Sequence, residues 1–352
     1  MNILITGVGG PTPRSIVRTL KELSNYSDYT FIGTDINPLA YGLYQKDLFE
    51  HSYLIPRCSE DNYWDEITKI IEKHAIDLAI VQPELEVLEW SKRAKTHELP
   101  CKVILPDHAL VKALVDKATM TEYLEPFGVV PASVRVDPEN IDFKAIEDKL
   151  HYPFWIRSTS GSSGLGSLKV DSELSLKNWM LIIPGVAEFL ASQFLPGRNL
   201  ACKLLYYKGK LVRAAVGERV NYIMAKVAPS GITGNTSFGR LLNDKSVYEV
   251  SRKAIEEVMD KTNVEKHGFF TVDLKENIHG APKVTEINVR MVAFNGCFAQ
   301  GGANFAEDMV RLLDNDESFD TTFKLHEFEE DLIFIRDVDG LPIIMNEKDL
   351  LK

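Results

Sequence analysis

Over the first hundred residues, short unbroken apolar runs alternate with stretches in which apolar residues return every three or four positions. Residues 2–6 (NILIT), 29–34, 77–81 and 102–105 are runs of the first kind, the pattern of strands buried on both faces. Residues 12–23, which carry Ile16, Val17, Leu20 and Leu23, have helical spacing, as do 61–74 and about 84–96. The alternation predicts a doubly wound, mostly parallel sheet flanked by helices.

Beyond residue 106 the rhythm changes. Residues 107–127 read as a helical region with Asp107 as N-cap and Gly128 as its stop. A strand is expected to begin at Val129-Val130-Pro131, and 142–150 and 176–183 read as helices. Strands are predicted at 153–156, 167–170, 188–194, 201–207 and 211–217. Residues 231–243, rich in Gly, Thr, Ser and Asn, are expected to be a mobile loop over a site. A helix at 248–261, a hairpin of 268–274 with 283–287, a helix at 305–313 and a last hairpin of 332–337 with 341–344 complete the reading. This part is antiparallel and mixed, an α+β region unlike the start.

The 352 residues suffice for two or three domains and a large core. Hydrophobic content of 45% and charged content of 26% are those of an ordinary globular protein. A net charge of −11 argues against nucleic-acid and anionic-membrane partners, both of which need clustered Lys and Arg. Cys58, Cys101, Cys202 and Cys297 are scattered without CxxC spacing, which predicts reduced thiols and a cytoplasmic setting. The eight histidines show no zinc-ligand spacing. No apolar run reaches the roughly 18 residues of a membrane span, and the start lacks a basic region followed by an apolar signal core.

Three stretches bear on chemistry. The turn Gly7-Val8-Gly9-Gly10 follows the first strand, and Asp35 ends the second, as in dinucleotide-binding folds, but Thr12 stands where the third glycine should be. A tight βα turn is therefore the favoured reading over an NAD site. The stretch 153–170 delivers Arg157 from an apolar strand into Ser158-Thr159-Ser160-Gly161-Ser162-Ser163-Gly164-Leu165-Gly166, followed at once by another strand. Glycines there let successive backbone N–H groups face one anion. Such a loop taken alone is equally a flexible hairpin turn. In the hairpin of 268–287, Asp273 lies on one strand, and Glu286, Asn288 and Arg290 alternate along the other and its continuation. Two carboxylates and an amide on one face suit Mg²⁺ that keeps waters and phosphate oxygens, and Arg290 suits an anionic substrate. A solvated face of paired charges is the competing reading.

In order, Asp116-Lys117, the loop YPFWIRSTSGSSGLG, the strand ending at Gln193-Phe194-Leu195-Pro196-Gly197, Asp273 and TEINVR resemble the ATP-grasp superfamily, nearest its carbamoyl-phosphate-synthase-like and amino-acid-ligase branch. The resemblance spans residue 1 to about 339. It implies an α/β, Rossmann-like pre-ATP domain (1–106) followed by an α+β ATP-grasp fold. That fold divides into a small subdomain with the phosphate loop (107–185) and a C-terminal subdomain with the metal-binding hairpin (186–352). It implies ATP and Mg²⁺, with Mn²⁺ as an alternative ion, and an ADP-forming ligase joining a small carboxylate to an amine.

By the same resemblance Lys117 and Arg157 contact phosphates under a loop that includes Ser158, Ser160, Gly161, Ser162, Ser163 and Gly164. Gln193, Phe194 and Leu195 read the adenine edge, and Asn199 is left for a ribose hydroxyl. Asp273, Glu286 and Asn288 hold the metal, and Arg157 and Arg290 serve catalysis. The hinge departs from the family pattern, since no carboxylate stands beside Ser192-Gln193 or Asn199. This leaves ribose contacts, and the preference for ATP over another purine triphosphate, open. Carbamoyl-phosphate-synthase-like use of bicarbonate and a non-catalytic nucleotide-binding role are the alternative readings. Arg219, Asn221, Asn295, Cys297 and Gln300 are substrate-side candidates from their position near the lids, and a homodimer is the assembly common in the superfamily.

Overall fold

A computed structural model describes residues 1–161, 164, 166–292, 294–337 and 343–349, with only the backbone of Ile343 and Glu347. The chain begins as its pattern predicts, in the order β1 (Asn2–Thr6), α1 (Pro11–Leu23), β2 (Thr30–Asp35), β3 (His51–Leu54), α2 (Tyr63–Lys73), β4 (Leu78–Ile80), α3 (Glu84–Ala94) and β5 (Lys102–Val103). These strands form one parallel sheet in the order β3-β2-β1-β4-β5. β3, which the sequence reading left out, is short and at the sheet's edge, with no residue fully buried to mark it.

The expected helix over 107–127 is broken into α4 (His108–Val115) and α5 (Lys117–Leu124). Asp107 caps the first, as expected, by accepting from the Ala109 N–H. Asp116 takes an extended conformation between them and accepts from the Thr119 N–H at 2.6 Å, so the break has its own N-cap. Chain 129–131 is not yet in the sheet it leads to; β6 starts at Ser133 (Ser133–Val136).

Next come α6 (Phe143–Lys149), β7 (Phe154–Ser158), β8 (Leu168–Val170), α7 (Glu173–Ile182) and β9 (Phe189–Gln193). The four strands pair antiparallel as β6-β9-β7-β8. Strand period decides what each face does. Phe154 and Ile156 point into a small core with Leu176, Trp179 and Phe189, while Trp155 and Arg157 line the central cleft.

The remainder is β10 (Asn199–Tyr207), β11 (Lys210–Tyr222), β12 (Thr236–Leu242), α8 (Lys245–Thr262), β13 (Gly268–Glu276), β14 (Pro282–Asn288), α9 (Asn295–Gln300), α10 (Phe305–Asp314), β15 (Lys324–Leu325), β16 (Leu332–Ile335) and β17 (Ile343–Asn346). They build a mostly antiparallel sheet, β14-β13-β10-β11-β12-β16-β17, with β15 alongside β11. The expected mobile loop at 231–243 is thus mostly strand β12, paired with β11 and β16. Its glycine is structural: a Cβ on Gly239 would lie 2.2 Å from the Glu218 carbonyl oxygen and 2.4 Å from the Phe334 ring. Of the last hairpin, 332–335 pairs with 343–346 as foreseen in outline, and residues 341 and 342 lie outside the described residues.

The parallel sheet and the large antiparallel sheet share their cores. Leu4 and Ala79 pack with Cys202 and Leu204 of β10 and with α8, while Ile3 and Ile5 pack with Ala201 and Leu205 and with α9 and α10. The N-terminal third and the C-terminal third therefore share both cores, with α1 packed on α9 and α10. The four-stranded sheet has its own core and stands over them, which leaves a cleft between.

Candidate functional site

The cleft holds about 1550 Å³ and is lined by the Ser/Gly loop after β7, the β13–β14 hairpin, the segment after β9 and the strand ends of the parallel sheet. Lys117, at the start of α5, ties two of these parts together. Its backbone N–H donates to the Thr159 carbonyl at 3.0 Å and its Nζ to the Gly161 carbonyl at 2.7 Å. The same Nζ lies 3.4 Å from Glu286 Oε1. The helix break at Asp116 is what lets this lysine face the loop rather than solvent.

Arg157 leaves the end of β7 into the cleft, 8% exposed, with no hydrogen-bond partner for Nε. Burial lowers its pKa, against the carboxylates of Glu286 and Asp273, which favour the charged form. Ser158 and Thr159 are buried, and the Ser160 N–H donates to Ser158 Oγ at 3.4 Å. Gly161, Gly164 and Gly166 all have positive φ, so the loop folds as only glycine readily does. Trp179 Nε1 anchors its end by donating to the Gly166 carbonyl. Gly164 lies against the 230–232 segment, where a Cβ would come within 2.8 Å of the Ile232 carbonyl oxygen. Ser162 and Ser163, also expected in the phosphate site, lie outside the described residues.

At the other end Gln193, Phe194, Leu195 and Asn199 all line the cleft. The Gln193 N–H already donates to the Ala132 carbonyl. Asn199 Oδ1 accepts from Lys275 Nζ at 3.0 Å, and that ammonium also donates to the Gly197 carbonyl. Lys275 and Lys169, whose Nζ stands 5.4 Å from the Phe194 ring centroid, give this end a cationic lining.

Asp273 and Glu286 are direct partners across the β13–β14 ladder, and Asn288 faces Thr271 two residues on. Asn288 Nδ2 donates to Asp273 Oδ2, so its own amide oxygen is turned away from that bond. Arg219 Nη2, on β11, donates to Asp273 Oδ1 at 2.6 Å. Burial pushes the Asp273 carboxyl up to about 6, with Arg219 opposing and Glu286 reinforcing the rise. Two half-buried carboxylates paired across a ladder repel each other, and a cation relieves that, so Asp273, Glu286 and the Asn288 amide fit a magnesium ion. Among the described residues no group of three or more acids, histidines or cysteines could hold a metal by itself, so phosphate oxygens and water would complete the shell.

Arg290 reaches the cleft from the end of β14, donating once to the Met291 carbonyl and keeping Nε without a partner. Of the substrate-side candidates, Arg219 lines the cleft, with its guanidinium 4.7 Å from the Phe294 ring centroid. Asn295 and Cys297 do not line it; both are fully buried on α9. Burial drives the Cys297 thiol to about 12. Asn221 is exposed on β11 and also lies off the cleft wall.

Lys203 was not foreseen. It sits on β10, four residues along the strand from Asn199, fully buried, and its Nζ is 5.0 and 5.1 Å from the ring centroids of Phe294 and Phe298 and has no hydrogen-bond partner among the described residues. Burial, with Arg219 nearby, lowers its pKa to about 7. No motif marks Lys203, Lys275 or Glu84: pairing of β10 with β13 places the two lysines, of which Lys275 lines the cleft, and Glu84 reaches the cleft from the first position of α3.

Residues 3–104 match the family model of the PylC-like N-terminal domain. By sequence, no curated protein matches. Among solved structures the chain resembles N5-carboxyaminoimidazole synthetase from Staphylococcus aureus in complex with ADP, at 14% identity and TM-score 0.71, over 95% of this chain and 81% of that one. It also resembles an L-amino acid ligase from Bacillus licheniformis (15%, TM-score 0.65, 95% and 78%). A biotin carboxylase from Campylobacter jejuni, solved with a β-γ-ATP ligand, gives 17%, 0.65, 95% and 75%. The chain thus has the ATP-grasp fold that the motif order implies. Among the described residues no helix is long and apolar enough to cross a membrane.

Proposed function

We propose that the protein is an ATP-dependent carboxylate–amine ligase that releases ADP and phosphate. One observation carries the reading: the half-buried Asp273–Glu286 pair is ringed by Lys117, Arg157, Arg219 and Arg290 in one cleft. Such a ring suits a polyanion bound through a metal, beside a second anion. The fold relatives solved with ADP or an ATP analogue agree with a nucleotide in this cleft.

In this reading the base lies against the hinge at 193–195 and the phosphates lie beneath the 158–166 loop. Lys117 and Arg157 neutralise the charge that develops on the transferred phosphoryl group, and the loop's N–H groups add fixed dipoles. Magnesium held by Asp273, Glu286 and Asn288 would supply further neutralisation and bind the phosphates in one geometry. Arg290 and Arg219 orient the substrate carboxylate for attack on the terminal phosphorus, giving an acylphosphate that an amine then converts to an amide. The contact of Gly164 with the 230–232 segment closes the cleft above that intermediate and keeps water from it.

The test is phosphate release with MgATP across a matrix of amino acids and small carboxylates. Release of ADP and phosphate that needs both a carboxylate and an amine supports the reading. AMP and pyrophosphate as products would overturn it, and Glu286→Gln with undiminished turnover would remove the metal site from it.

A further inference from the structure

The end of the cleft near residues 193–195 offers a ligand something different from the end at Asp273 and Glu286. β10 begins at Asn199, directly after the segment 194–198, and runs toward Ala201, which pairs with Asp273. Asn199 itself pairs with Lys275, two residues from Asp273 on the same face of β13 and so about 7 Å along the strand. The Asn199–Lys275 pair therefore lies between the segment after β9 and the Asp273–Glu286 pair. A nucleotide with its base against 193–195 and its phosphates at the carboxylates has to lay its sugar over Asn199 and Lys275. Both residues line the cleft.

One bond fixes what these two residues present. An ammonium has three N–H donors and no acceptor, so the Asn199 atom that meets Lys275 Nζ at 3.0 Å is the amide oxygen. Lys275 donates a second N–H to the Gly197 carbonyl at 3.1 Å. The amide is thereby turned with its Nδ2 away from the lysine. That Nδ2 has no hydrogen-bond partner among the described residues and is not shut off from solvent, so it is open to a ligand in the cleft. Glu276, the next residue on β13, points to the opposite face and accepts from Arg198. The pair thus has donors left to offer, and its one side-chain acceptor is taken.

Resting on the nucleotide reading of this cleft given above, we propose that Asn199 and Lys275 determine the specificity of the sugar subsite, and that they recognise the 2′ and 3′ oxygens of a nucleoside triphosphate as hydrogen-bond acceptors rather than as donors. A carboxylate in place of Asn199 would do the reverse, accepting from the hydroxyls and making their hydrogens essential. The subsite in this chain tolerates a sugar whose oxygens are alkylated and discriminates against one from which an oxygen is removed.

Binding of magnesium nucleotides tests this without knowledge of either co-substrate. Calorimetry gives dissociation constants for MgADP and for its 2′-deoxy, 3′-deoxy, 2′-O-methyl and 3′-O-methyl analogues, on wild type, Asn199→Asp and Lys275→Met. Wild type should lose affinity about threefold or more when the oxygen is removed from at least one position. The methyl penalty at that position is the ratio of the methylated to the unmodified dissociation constant. It should rise about tenfold or more in Asn199→Asp, whose second carboxylate oxygen accepts from a free hydroxyl. Any steric cost of the methyl group is common to both proteins and cancels in the comparison. Asparagine and aspartate have the same shape, so the variant keeps the fold, which thermal unfolding checks. Lys275→Met should raise the same penalty by a smaller factor, because the released amide can turn its oxygen to the sugar.

A methyl penalty unchanged in Asn199→Asp overturns the proposal, and so does a wild type indifferent to both deoxygenations. A penalty unchanged in Lys275→Met overturns the part given to Lys275. No binding of MgADP or MgATP at millimolar concentration overturns the nucleotide reading itself, and the subsite with it. Nucleotide binding without amide formation from any substrate pair would sink the ligase reading and leave the subsite standing.

Discussion

Replacing Asp273 with asparagine should make the ligand-free protein more stable and the enzyme nearly inactive. The side chain keeps its shape and its bond to Arg219, loses the charge, and presents an N–H donor to Asn288, whose amide can turn its oxygen to accept it. In the folded protein the carboxyl titrates at about 6 rather than at its ordinary 3.8, because burial and Glu286 outweigh Arg219. At 1.36 kcal/mol per pH unit, that rise means the ionised carboxylate costs roughly 3 kcal/mol of folding stability. The sign follows from linkage: a carboxyl raised on folding exacts its full cost above about pH 6 and progressively less as pH falls toward 3.8. Asparagine resembles the protonated acid, so Asp273→Asn should raise the unfolding midpoint at pH 8 by roughly 5 °C or more. The gap should close near pH 4. Thermal unfolding of both proteins without nucleotide, at several pH values, measures it. MgATP-dependent turnover should fall on the order of 10²-fold or more, since a metal ligand and its charge are gone. A variant less stable than wild type at pH 8, or a gap that does not narrow on acidification, would refute the electrostatic account. Unreduced turnover would refute the metal role.

Arg157→Ala should lower nucleotide-dependent turnover by roughly 10²-fold or more, seen as kcat rather than only KM, because the Nε of this buried guanidinium has no hydrogen-bond partner among the described residues and is left for a ligand. Lys203→Met should stabilise the protein near pH 7 by a few kcal/mol, since a fully buried ammonium is replaced by a side chain suited to its phenylalanine cage. The lysine's lowered pKa exacts its full cost below about 7 and less as pH rises toward 10.5, so the gain in denaturant midpoint should shrink by pH 10. Gly239→Ala should lower the denaturant midpoint by about 1–3 kcal/mol, because its Cβ meets the Glu218 backbone and the Phe334 ring.

The sequence by itself determined the elements with a strong local signature. Continuous apolar runs marked β1, β2 and β4, and helical spacing marked α1, α2, α3 and α8, because burial on two faces or on one stripe imposes those periods directly. It also determined the order of Lys117, Arg157, Asp273 and Glu286, and the alternation that puts Glu286 and Asn288 on one face. It misread 231–243, where Gly, Ser and Thr suggested a loop but β12 fits glycine between Glu218 and Phe334. It carried the helix of 107–127 through Asp116, where docking of Lys117 on Thr159 breaks it. Only the tertiary structure decided which charges meet. Arg219 reaches Asp273 across β10, Lys275 is tied to Asn199, and Glu84 at the start of α3 comes within electrostatic reach of Arg290. Those encounters depend on strand register and on how the sheets share a core. Both are sums over contacts far apart in the chain, and no single stretch of residues contains them.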